Sequence, residues 1–311
     1  MEKSDIIVIR EIKPALSAYI RKALVLLKKD HVPDDDSIHD IRVLMKKARA
    51  TLKLTKTPLK SEWYEKDSGS LKQVGKTLSV WRDNAVNRKI MKELKKKYPE
   101  IFVRLNENEK IRSLLTKPDL SVIPEKDMQQ NLQQLEELLR KTGFRIRFNQ
   151  MKELDNEALK FQLMLSYQKV KGICFACRRN PKPEKIHLLR KRSKDLLYQL
   201  WFFRPHDDRK IKAAEKRLGR LTTNLGKHND LTQLMNAMNY DFPGDGNSPE
   251  MDELIIKIKG IQDKLLLKIW DDAFKCFSPG IDIKKFTGLD LIDIKTVDIA
   301  AQANSTDSNL E

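Results

Sequence analysis

Apolar residues recur every three or four positions along most of the chain, and short polar stretches separate the recurrent runs. That 3.6-residue period predicts helices over 14–29, 34–56, 62–97 (long enough for two pieces), 106–115, 127–141, 144–179, 184–203, 207–240 and 248–277. Prolines fall between the runs, where helix starts tolerate them. The stretch "YDFPGDGNSPE" at 240–250 reads as a loop. After about Ser278 the period is lost, the chain turns acidic and it finishes "AQANSTDSNLE", which predicts a disordered tail over 281–311. The expected fold class is all-α.

The polar positions carry a second pattern. In "SIHDIRVLMKKAR", at about 100° per residue, His39, Arg42, Lys46 and Arg49 share one narrow helical arc, and Lys53 extends it. Lys47 stands just off that arc. Ile41, Leu44, Ala48 and Leu52 occupy the neighbouring arc, the face expected to pack. The stripe from His39 to Arg49 is roughly 15 Å long. Cations placed beside a packing face are positioned to line a groove between helices.

The pattern nearly repeats. Setting His39 against His187 pairs Ile38 with Ile186, Arg42 with Arg190 and Lys46 with Lys194. Lys191 lies to one side of the second stripe and Tyr198 near it, while Leu197 and Trp201 stand where the first stripe has Arg49 and Lys53. Downstream, "LKQVGKTLSVWRD" resembles "LGRLTTNLGKHND", with Leu71, Leu78 and Asp83 aligned to Leu218, Leu225 and Asp230. A repeat this long exceeds a solenoid unit and predicts an internal duplication of a helical bundle, two related halves that would bring the two stripes to one shared basic surface or groove.

Charge sharpens the reading. The 311 residues carry 61 Lys and Arg against 44 acids, a net charge of +17. That excess points to a polyanionic partner. Arginine forks bind phosphate oxygens bidentately, lysine acts as a point charge, and histidine donates from its ring nitrogens. Three cysteines make no disulfide framework, and "CFAC" at 174–177 lacks the second pair of a zinc site, so packing is the expected role. No secretory signal or membrane span is recognised, and a cytoplasmic location is expected.

Competing chemistries are weaker. The His39–Asp40 pair fits an HD-type metal-dependent phosphohydrolase, but Leu188 replaces the acid in the second half and the surrounding cations repel a divalent metal. Asp83 and Asp230, acids in a basic neighbourhood, could serve as general bases or metal ligands but read first as structural acids that pair with helix cations or cap a local turn, and His31 and His206 read as incidental. Nucleic-acid backbone binding stays open on charge alone, although aromatics make up only 7% and base stacking has little to rest on.

The motifs "IHDIRVLMKKAR", "LSVWRD", "IHLLRKRSKDLLY" and "LGKHND", in this order, resemble the CHAD (conserved histidine α-helical domain) family over about 5–280. The resemblance implies two four-helix bundles arranged with pseudo-twofold symmetry, here about 5–141 and 144–280. It implies a basic cavity or pore that binds inorganic polyphosphate, in some members with targeting to polyphosphate granules. It also implies a binding module, not an enzyme, with no cofactor. Carried over by position, His39, Arg42, Lys46, Lys47, Arg49, Arg82, His187, Arg190, Lys191 and Lys194 would face the ligand, joined by Lys53 and Tyr198 from the helical arcs. Phosphate or sulfate ions are further candidate ligands.

Overall fold

The computed structural model describes residues 11–28, 33–56, 61–116, 125–148, 156–205, 207–238 and 248–289, without the side chains of 61, 80–84 and 125–128. Among the described residues there are twelve α-helices and no strand. They are α1 (Ile12–Lys28), α2 (Asp35–Leu54), α3 (Ser61–Thr77), α4 (Ser79–Lys97), α5 (Pro99–Arg104) and α6 (Glu109–Leu115). Then follow α7 (Glu125–Phe148), α8 (Asn156–Arg179), α9 (Pro183–Leu200), α10 (Asp208–Ala237), α11 (Pro249–Phe277) and α12 (Ile283–Thr287). No described helix is long and apolar enough to cross a membrane.

Local chemistry sets where the two histidine-bearing helices begin. The Asp34 carboxylate accepts a hydrogen bond from the Ser37 amide at 2.7 Å, satisfying one orphan donor at the start of α2. Pro183 opens α9, where its missing N–H costs nothing. His39 and His187 consequently both sit in the second turn of their helices.

The helices contact one another in two closed circuits. In one, α1 packs on α2, α2 on α3, α3 on α7 and α7 back on α1. In the other, α8 packs on α9, α9 on α10, α10 on α11 and α11 on α8. The α2–α9 contact joins them, and one apolar core runs through both, including Ile41, Leu52, Leu189 and Leu196. A smaller core gathers α4, α5 and α6 against α10 and α11, around Met91, Phe102, Leu234 and Leu254.

Three boundaries differ from the sequence reading. The long run over 62–97 does break, at Leu78, and α5 lies in a stretch expected to be irregular. The break expected at 141–144 is absent, because α7 continues through Gly143 to Phe148. A Cβ at Gly143 would stand 3.3 Å from the Ile20 side chain, so this glycine brings α1 and α7 close instead of ending a helix. The first residues of the expected tail are ordered. Asp282 caps α12 through the Lys285 amide, Gly288 ends it in the left-handed conformation (φ 77°), and Ile283, Phe286 and Leu289 are buried. A five-residue helix is too short to register as a period. The remainder, 290–311, lies outside the described residues.

A buried ion pair ties α3 to α7. The fully buried Asp67 accepts from Arg145 Nε at 2.6 Å, and the same guanidinium donates to Ser70 and Thr142 hydroxyls. Burial raises the Asp67 pKa against the pull of Arg145. Asp67→Ala strands the arginine and is expected to cost about 3 kcal/mol in urea unfolding. Glu65→Ala, which removes a surface pair with Lys56, should cost less than about 1 kcal/mol. Equal losses would contradict this assignment.

Candidate functional site

The α2–α9 contact borders a cavity of about 530 Å³ that α10 and the start of α4 help to enclose. From α2 it receives His39, Arg42, Lys46 and Arg49, which share one arc because their spacing keeps them beside the packing face. From α9 it receives His187, Arg190, Lys191, Lys194 and Tyr198. The two stripes thus meet at one recess, although His39 and His187 lie far apart in sequence.

The remaining candidates sit differently. Lys47 is not a lining residue, but its ammonium stands 5.9 Å from the centre of the Tyr198 ring. Lys194 stands 5.8 Å from the same ring, so one tyrosine carries two cations. Lys53 does not line the cavity and instead pairs with Asp195 of α9, which Arg192 also approaches at 3.6 Å. Arg82 and Asp83 belong to α4 with side chains outside those described, and His31 and His206 are outside the described residues altogether.

Several contacts hold the cations in place. Arg42 donates to the Gly75 carbonyl oxygen at 2.7 Å, tethering its guanidinium to α3. His187 Nδ1 lies 2.7 Å from the Asn229 amide oxygen, within hydrogen-bond distance. Across the contact, the buried Gln199 donates to the Ala50 carbonyl oxygen at 3.1 Å. The Nε atoms of Arg49 and Arg190 are buried with no hydrogen-bond partner among the described residues. An unmet charged donor beside a cavity is costly unless an acceptor enters.

The electrostatics follow from this crowding. Lys46 has its pKa pushed down to about 8, first by desolvation and then by Arg190, Arg42 and Lys194, with Asp230 opposing. Lys194 is lowered by desolvation, Arg190 and Lys47. Lys191 is lowered by desolvation, Arg192 and Arg49. Desolvation raises Tyr198. Each lysine shift marks a cation whose charged form is disfavoured until negative charge arrives.

The sequence reading did not name Asn229, Asp195 or Gln233 as site residues, yet all three line the cavity. Asn229 and Asp230 were visible in "LGKHND", and Gln233 shares their face of α10 one turn on. Among the described residues, no group of three or more His, Cys, Asp or Glu side chains is placed to hold a metal ion. Cys174, Cys177 and Cys276 are buried free thiols, pushed by burial up to about 11, 11 and 12. They are core residues, remote in character from the cationic recess.

A family model described as the CHAD domain matches residues 15–238, a span that holds every lining side chain of the cavity. No curated protein matches the chain significantly.

Because the Lys46 pKa is lower in the folded chain than in the unfolded one, its charge opposes folding below about pH 8. That penalty fades as pH rises from about 8 toward the unfolded value of 10.5. Lys46→Met should therefore raise Tm at pH 7 by about 1–2 °C, with a smaller gain at pH 9.5. A Tm that falls, or a gain that grows with pH, contradicts the repulsion.

Proposed function

The chain belongs to the CHAD domain family, and on that footing we propose that its basic cavity binds inorganic polyphosphate. One observation carries the reading: cations from two helices converge on a single recess tightly enough to depress one another's protonation. Building such a recess costs stability, and a bound polyanion removes the cost. Arg49 and Arg190 line the recess and bring guanidinium groups suited to phosphate oxygens. Lys46, Lys191 and Lys194 supply mobile charge that does not demand one ligand geometry.

The two closed helix circuits, with α2 against α9, support an internal duplication around this cavity. Lys194, the counterpart of Lys46 in the repeat, is among the cations that lower the Lys46 pKa, which is consistent with the two stripes facing one another. The binding is non-catalytic in this reading. No nucleophile and base stand out in the recess, and its function is recognition of a phosphate chain, with phosphate or sulfate ions as weak mimics. The three free thiols suit the cytoplasm, and polyphosphate granules are the natural destination of such a module there. Polyphosphate is favoured over nucleic acid because Tyr198 is the one Phe, Tyr or Trp among the described lining residues and two lysines already engage its ring.

Charge reversal tests the proposal. Lys46→Glu with Lys194→Glu should weaken polyphosphate binding at least about 100-fold while leaving the helical circular dichroism unchanged. Arg42 is spared because it also holds α3. Wild-type affinity should fall linearly with salt on a log–log plot, as counterion release demands. Retained affinity in the double variant, or a flat salt response, sinks the assignment.

A further inference from the structure

We infer that Asn229 is a positioning residue, whose amide oxygen holds the Nδ1 proton of His187 so that Nε2 is the ring atom presented to a phosphate oxygen. The inference rests on the polyphosphate reading of the cavity for its ligand, but the hydrogen bond itself does not. Asn229 is 8% exposed on α10, whereas His187 is exposed on α9, and the 2.7 Å bond joins a fixed acceptor to a ring at the cavity edge. The hydrogen bond made by one imidazole nitrogen decides which nitrogen carries the proton. With Nδ1–H committed to Asn229, any second proton must settle on Nε2, on the other side of the ring. No other hydrogen bond is made by His187 among the described residues.

The choice of an amide has a physical consequence. A carboxylate at 229 would also accept from Nδ1, but its negative charge would repel the phosphate that the ring is to meet. Asparagine fixes the ring at no electrostatic expense. It also links recognition to the α9–α10 contact, since the acceptor lies one helix away from the histidine.

The test uses full-length protein with 15N-labelled histidine. At pH 8, two-bond nitrogen–proton correlations should place the His187 proton on Nδ1. Asn229→Leu should move it to Nε2, and Asn229→Asp should return it to Nδ1. A purely structural role for Asn229 would not produce that exchange and rescue. At pH 6, Asn229→Leu should weaken polyphosphate binding about tenfold, and adding His187→Gln to the same chain should weaken it no further. A wild-type proton on Nε2, a tautomer unmoved by Asn229→Leu, or additive losses would each overturn the inference. If Asn229→Leu does not fold, the wild-type spectrum and the Asn229→Asp spectrum decide by the same criterion. Failure of the wild-type protein to bind polyphosphate would instead overturn the proposed ligand, and the tautomer spectra would still decide the role of Asn229.

Discussion

Like charges have to be held together where α2 meets α9, and the rest of the molecule can be understood from how that repulsion is carried. Two helices that each present a cationic stripe cross beside one cavity, so Lys46 lies within the field of Arg190 and Lys194. The opposing force is apolar. Ile41, Ala48, Leu189 and Leu196 are fully buried at these helices, and burial of such side chains is worth about 1.5–3 kcal/mol for each large one. The buried Gln199–Ala50 hydrogen bond adds a directional link across the contact. Local acids moderate the remainder: Asp195 takes Lys53 and approaches Arg192, while Asp230 favours the charged form of Lys46.

This arrangement makes the recess lopsided. The first stripe continues beyond the cavity into Lys53, which is spent on an ion pair, whereas the second ends in Tyr198 with two lysines over its ring. The anchors differ as well. Arg42 is tethered to a backbone carbonyl of α3, and His187 to a side-chain amide of α10. A ligand crossing the cavity would meet a fixed guanidinium on one wall and an oriented imidazole on the other. The buried Nε atoms of Arg49 and Arg190, which find no hydrogen-bond partner among the described residues, add to the cost of holding the two stripes together.

Much of this was legible along the chain because helical spacing is local. The arc holding His39, Arg42, Lys46 and Arg49 needs only 3.6 residues per turn, and all four line the cavity. The second stripe followed from its likeness to the first. What escaped depends on packing between helices. Lys53 shares the arc of the first stripe, and only the approach of α9 brings Asp195 to neutralise it. Asn229 is one polar residue among several in "LGKHND" until α10 places it 2.7 Å from His187. Gly143 reads as a break in sequence and acts as a close-approach point because Ile20 lies against it. Even α12, five residues long, owes its existence to the core it caps and not to any period of its own.

In the proposed function the cavity is shaped for a thin, base-free phosphate chain and is more than a general basic surface. A competition titration at near-physiological salt measures this most directly. Labelled long-chain polyphosphate would be displaced by unlabelled polyphosphate, orthophosphate, single-stranded RNA and duplex DNA, all matched by phosphate. Displacement chiefly by polyphosphate is expected. Equal or better displacement by RNA or DNA would contradict it and reduce the recess to unspecific electrostatics.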